Sequence, residues 1–221
     1  MKEIKQAERI KRFGLTCTLN NNGVERHFHH GHEYVEIGGI KWATCNVGAE
    51  KETDDGKYFA WGETKGFINA SKKQFTWEDY EFGNDIISKY NEADEKTVLE
   101  SVDDAVASAW GNGWRMPTTE EYVALGSAVN TEWIADYQSS GVAGLVCTDK
   151  TDESKVLFFP ACGFCDGGSV YGVGSHCLYW SSSRLNRYAR LTYRLDFCDR
   201  YVSWQNYGSR YIGILVRGVA G

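Results

Sequence analysis

Ala189-Arg190-Leu191-Thr192-Tyr193-Arg194-Leu195-Asp196-Phe197 alternates with a period of two. A strand turns successive side chains to opposite faces, so Leu191, Tyr193, Leu195 and Phe197 share an apolar face, and Arg190, Thr192, Arg194 and Asp196 share the other. Such alternation belongs to an antiparallel sheet with one side on a core and one side in water. Just downstream, Val202 and Trp204 alternate with Tyr201 and Ser203. This reading places Trp180, Leu191, Leu195, Phe197, Val202, Trp204 and Val216 in the core. It leaves Arg190, Arg194, Asp196, Asp199, Arg200, Tyr201 and Ser203 on one side of one sheet.

Outward from this strand the pattern repeats. Leu145-Val146-Cys147, Val156-Leu157-Phe158-Phe159, Leu178-Tyr179-Trp180 and Tyr211 to Arg217 read as further strands. Upstream, Tyr34 to Ile37 and Lys41 to Cys45 flank Gly38-Gly39, a hairpin signal. Asp103 to Trp110 reads as a helix with acids in its first turn. A second helix starts at Pro117-Thr118-Thr119-Glu120-Glu121, where Thr118 and Glu121 have capping-box spacing and Tyr122, Leu125 and Val129 follow on one face. Residues 50–91 carry many aromatic side chains without a period and read as long loops. With helices first and a meander after, the expected class is α+β: two helices with antiparallel sheets and long loops.

The chain has 221 residues, of which 42% are apolar and 14% aromatic. That supports one core, expected over residues 31–221 behind an N-terminal arm of residues 1–30. In the arm, Ile4, Ala7, Ile10 and either Lys11 or Phe13 fall at near-helical spacing, which suggests attachment or oligomerisation, and Asn20-Asn21-Asn22-Gly23 reads as a turn. A net charge of -6 argues against a general nucleic-acid partner. The charged first residues lack the apolar core of a signal peptide, and no run reaches the length of a membrane span. The expectation is a protein made soluble in the cytoplasm and displayed afterwards on a phage particle or cell surface. Seven scattered cysteines in such a chain are expected to be reduced.

Beyond Lys155 there is no further Lys and no Glu, yet Arg and Tyr recur. An ordinary solvated surface mixes all four charged types, whereas Arg and Tyr without Lys and Glu is the composition of contact surfaces. The tract from about Gly163 to Arg217 is therefore read as a display face. Its expected ligand-binding residues are Arg184, Leu185, Arg187, Tyr188, Arg190, Arg194, Asp196, Asp199, Arg200, Tyr201, Ser203, Gln205, Tyr207, Arg210 and Ile212.

Several blocks carry a family resemblance: Gly31-His32-Glu33-Tyr34-Val35-Glu36-Ile37, Lys41-Trp42-Ala43-Thr44-Cys45-Asn46-Val47-Gly48-Ala49, Tyr58-Phe59-Ala60-Trp61-Gly62-Glu63-Thr64, Trp114-Arg115-Met116-Pro117-Thr118, Phe159-Pro160-Ala161, Tyr179-Trp180-Ser181-Ser182-Ser183 and Val216-Arg217-Gly218-Val219. Together they resemble the Fibrobacter succinogenes major paralogous domain family of gut Bacteroidetes over residues 31–219. That resemblance implies a C-type-lectin-like fold. The block from Tyr179 and the closing block also resemble the hypervariable proteins of diversity-generating retroelements, in which reverse transcription randomises adenine-containing codons. The implied function is receptor or host-surface binding, with an unknown protein or glycan as partner and no cofactor.

Other constellations read more simply. His27, His29, His30, His32 and Glu33 have chelating spacing but lie at the entry to the domain, and no metal is assigned to them. Cys162-Gly163-Phe164-Cys165 lacks a second close pair. Asp103 and Asp104 read as helix-capping residues rather than as paired acids. Ser181-Ser182-Ser183 lacks a nucleophile elbow. The Glu-Pro-Asn loop and Trp-Asn-Asp strand of calcium-dependent lectins are absent, so no calcium is expected. The Arg115-Met116-Pro117-Thr118 block resembles formylglycine-generating enzymes, and an enzyme of that type or an iron oxygenase is the rival reading. Its cysteine pair or iron triad falls in none of the matching blocks, so no catalysis is expected. A structural surface component is the remaining alternative.

Overall fold

A computed structural model describes residues 15–19, 25–70, 72–83 and 85–221. The helix expected within residues 1–13 and the turn at 20–23 lie outside the described residues. The molecule is mostly β, 42% strand and 10% helix, in three mostly antiparallel sheets. This overturns the α+β, C-type-lectin-like expectation, in which helix and sheet share the fold. The physical reason is that the two helices are short, six and ten residues, while many short strands cover the rest.

Nor do helices come first. β1 (Leu15–Leu19), β2 (Glu25–His29), β3 (His32–Ile37) and β4 (Ile40–Asn46) precede them and join β13 (Arg217–Ala220) in the order β1-β2-β3-β4-β13. The sheet thus takes in residues that the sequence reading assigned to the arm. Gly38 and Gly39 make the two-residue β3–β4 turn with φ of 62° and 78°, a left-handed pair that favours glycine. α1 (Ala105–Trp110) is capped by the Asp104 side chain. α2 (Thr119–Ala128) carries the full capping box of Thr118 and Glu121, and Val129 leaves it to open β5 (Val129–Ile134). β5 pairs with β6 (Gly144–Asp149), which pairs with β7 (Val156–Pro160).

The third sheet has the order β12-β11-β10-β8-β9. Its strands are β8 (Cys162–Asp166), β9 (Ser169–Val173), β10 (His176–Arg184), β11 (Leu191–Cys198) and β12 (Tyr201–Ser209). β12 is an edge strand. The strand expected from Tyr211 to Arg217 is instead a run that meets its neighbours through isolated bridges at Gly213, Ile214 and Leu215.

Two apolar clusters fill the interior, and the middle of the molecule feeds both. Tyr58 and Ala60 enter one cluster while Phe59 and Trp61 enter the other. Tyr179 and Leu215 belong to the first; Leu178, Trp180, Ile214 and Val216 belong to the second. A chain segment whose alternate side chains both meet apolar surroundings is buried on both faces, and so it reads as a near-continuous apolar run. Of the expected core, Trp180, Leu195, Phe197 and Val216 are fully enclosed, whereas Leu191, Val202 and Trp204 are half-buried at its border.

Candidate ligand-binding surface

β11 and β12 form the edge ribbon of the third sheet, joined by a two-residue turn at Asp199 and Arg200. Both turn residues are exposed, and their side chains pair at 3.6 Å. Directly opposed residues share a face. Cys198 with Tyr201, Asp196 with Ser203 and Arg194 with Asn206 therefore define one face of the ribbon, and Phe197 with Val202 and Tyr193 with Tyr207 define the other. A bulge between Arg194 and Asp196 gives β12 one extra residue.

Asp196 organises the first face. Its Oδ1 accepts the Tyr201 hydroxyl at 2.9 Å, and its Oδ2 accepts Asn206 Nδ2 at 2.9 Å and an Arg194 guanidinium nitrogen at 3.1 Å. The carboxylate itself is buried, with the residue 5% exposed. Partial burial, then the hydrogen bond to Asp196, push the Tyr201 phenol up to about 12, which keeps it a donor. The exposed Tyr201 and the half-buried Arg194 thus have their orientation set by the same buried carboxylate.

The other exposed groups stand at the far end of the ribbon, in the loop before β11. Arg187, Tyr188 and Arg190 are exposed there and Leu185 is half-buried. The Arg190 guanidinium lies 4.0 Å from the centroid of the Trp77 ring. Seven residue steps of β11 separate this loop from the Asp199 turn, about 23 Å at strand rise. Gln205 and Tyr207 are exposed along β12, and Ser203 is half-buried. Tyr207, opposite Tyr193, belongs to the second face, so the expected residues do not all share one side.

Four of them are not displayed. Arg184, Asp196, Arg210 and Ile212 are at most 8% exposed. Arg184 donates to the carbonyl of Asn91 and to Asn186 Oδ1. Arg210 donates to the carbonyls of Tyr90, Lys89 and Leu191 and lies over the Trp61 ring. Ile212 packs in the second apolar cluster. These arginines close the 89–91 loop onto the third sheet, a role that the composition of the tract conceals. The polar face of β11 is also less open than alternation implied. Thr192 is fully buried and donates to the Ser183 carbonyl, because β10 bulges between Trp180 and Arg184 and covers it.

The remaining sequence constellations are absorbed into the fold. Asp104 accepts the backbone N–H groups of Val106, Ala107 and Met116 while burial pushes its carboxyl up. Asp103 instead takes Lys89 and the Tyr90 hydroxyl, so the two acids face different partners. The Ser181 hydroxyl meets that of Thr119 at 2.8 Å, and Ser183 Oγ accepts the Thr119 N–H. Cys45, Cys147, Cys162, Cys165, Cys177 and Cys198 are free thiols, and burial pushes Cys147 and Cys165 up, against nucleophilic use. The Cys162 thiol is raised by its hydrogen bond with Cys177 and by burial. His29 packs on Trp114, and His32 stacks on Trp110 at 4.0 Å. Burial lowers both histidines. Among the described residues no three His, Cys, Asp or Glu side chains gather to hold a metal ion, and no helix is long and apolar enough to cross a membrane.

Nothing in the sequence distinguished Asn206 or Trp77 as part of this surface. The register opposite Arg194 and the ring beneath Arg190 appear only once the strands are paired. Compared with known proteins, the chain matches no family model, no curated protein and no solved structure.

Proposed function

We propose that the chain is a ligand-binding display protein, the hypervariable receptor- or host-surface-binding protein of a diversity-generating retroelement in a gut bacterium or its phage. The observation that carries the binding reading is the Asp196 network. A buried carboxylate holds the exposed Tyr201 and the half-buried Arg194 and Asn206 on an edge ribbon whose turn, Asp199-Arg200, projects into solvent. Tyr and Arg dominate contact energies in interfaces, and a side chain whose orientation is already set loses less entropy on binding. The exposed loop at Arg187, Tyr188 and Arg190 adds a second contact region. The retroelement reading rests on the resemblance of the sequence blocks and on the loss of Lys and Glu beyond Lys155.

The test pairs folding with binding. Arg187, Tyr188, Arg200 and Tyr207 are exposed and can be replaced together by Ser. Each surface change is expected to stay within about ±0.5 kcal/mol, so circular dichroism and melting should be almost unchanged. Labelled wild-type protein is screened against a glycan array and intact gut bacterial cells, and the variant is expected to lose the binding found. A folded variant that binds as well as wild type sinks the reading. For the retroelement, a nearby reverse transcriptase gene and a template repeat differing from the 163–217 codons only at adenines are expected; mismatches at other bases would reject that origin.

A further inference from the structure

On the side away from the display ribbon, the third sheet ends at β9. Cys165 of the neighbouring β8 donates its N–H to the Gly213 carbonyl at 2.7 Å and accepts the Gly213 N–H at 2.9 Å. In an antiparallel pair the N–H and C=O of one residue point to the same side, so Val170, opposite Cys165, turns both of its own groups outward. Gly172, two residues on, turns the same way. Its carbonyl accepts the Ser175 N–H at 3.0 Å, and at the other end of the strand Gly168 donates to the Gln74 carbonyl at 2.7 Å. Among the described residues nothing takes the Val170 N–H, the Val170 carbonyl or the Gly172 N–H.

The side chains of this edge are apolar and open. Val170, Tyr171 and Val173 are 38%, 50% and 63% exposed. No charged residue falls between Gly167 and Ser175, whereas sheet edges left in water are ordinarily guarded by Lys, by Pro or by a bulge. The opposite edge of the same sheet is guarded: the β11–β12 pairing is bulged, and the Tyr207 N–H is taken by Asn206 Oδ1 at 2.8 Å. An edge with free donors and acceptors, apolar side chains and no charge is a template for another strand.

The open groups fit the strand to itself. About a two-fold axis at Val170, its N–H and C=O pair reciprocally with those of a second copy, and the Gly172 N–H faces the Gly168 carbonyl. The remaining groups of that register, the Gly168 N–H and the Gly172 carbonyl, are already spent inside the chain and need no partner. Tyr171 comes opposite Ser169 and Val173 opposite Gly167, so large side chains meet small ones and no like charges stand face to face. We infer that β9 is the interface of a homodimer in which two five-stranded sheets join edge to edge. A five-residue edge is small against the ~800 Å² per partner of a standard interface, so the dimer is weak. On the display reading it would set two ribbons at opposite ends of one sheet, where bivalent attachment raises avidity.

The test uses the full chain without any ligand, so its failure leaves the display reading standing. Sedimentation equilibrium is expected to show a dimer at about 200 µM that dissociates toward about 1 µM, as befits a small interface. Over that range the amides of Val170 and Gly172 are expected to exchange more slowly by on the order of tenfold as the dimer fills. Val170→Pro removes an outward N–H that β8 does not use, and with one hydrogen bond lost from each copy the dimer should weaken by on the order of tenfold or more. Val170→Lys sets two like charges opposite each other and serves if the proline variant does not fold; its melting at about 1 µM should match wild type, as surface changes do. A chain that stays monomeric at about 200 µM overturns the inference. So does a dimer as tight in both variants as in wild type, or one that protects residues 203–207 in place of 170 and 172.

Discussion

Arg210 and Arg200 lie ten residues apart in one tract and meet opposite surroundings. Arg210 is fully buried, its guanidinium 4.5 Å from the Trp61 ring centroid and its donors spent on backbone carbonyls. The Arg200 side chain is 82% exposed. Arg210→Ala leaves buried carbonyls unpaired and a void under Trp61, and is expected to cost about 3–5 kcal/mol. Arg200→Ala is expected to stay within about ±0.5 kcal/mol. Urea unfolding of both variants checks the contrast, and a similar loss in the two would refute the division. Composition could not separate these residues, because burial of an arginine depends on which carbonyls the fold brings to it. Arg217 did carry a signal. It sits in Leu215-Val216-Arg217-Gly218-Val219, an apolar run, and the structure spends its guanidinium on the carbonyls of Ala43, Thr44 and Phe158 and on Asn46.

At the scale of the element, capping chemistry was the most legible feature. Thr118 and Glu121 hold the start of α2 as their spacing implied, and Gly38-Gly39 turns β3 into β4. Alternation located β11 but misjudged what lies on its polar side, since the bulge in β10 is set by pairing distant in sequence. The interior of α2 shows the same limit. Gly126 ordinarily weakens a helix by about 1 kcal/mol relative to Ala. Here a Cβ at Gly126 would lie 2.4 Å from Trp204 Nε1, so the glycine is what lets α2 lie flat on β12. Gly126→Ala gains helix propensity and loses that contact. With overpacking costing about 1–3 kcal/mol, the variant is expected to melt lower than wild type. A higher Tm would show that the Trp204 ring swings aside freely.

Across the whole molecule, the two apolar clusters are interleaved along the chain rather than assigned to separate segments. Trp42 and Val219 belong to the first, and their neighbours Ala43 and Ala220 to the second; Tyr179 lies between Leu178 and Trp180 of the second. Hydrogen bonds cross in the same way. Trp180 Nε1 donates to the Phe59 carbonyl, and Trp61 Nε1 donates to that of Ser181, each at 2.8 Å. A segment shared by two clusters cannot leave one and stay in the other, so both should unfold in a single transition. Trp180→Ala truncates a side chain of the second cluster at a cost of about 3–5 kcal/mol, a large part of a typical total of about 5–15. Leu157→Ala makes a smaller void in the first cluster, where Leu157 is fully buried. If the interleaving couples them, each variant lowers one melting midpoint, identical by near-ultraviolet circular dichroism, tryptophan fluorescence and calorimetry. Two separated transitions in either variant would mean that the clusters are independent units, and that the shared strands do not transmit the loss.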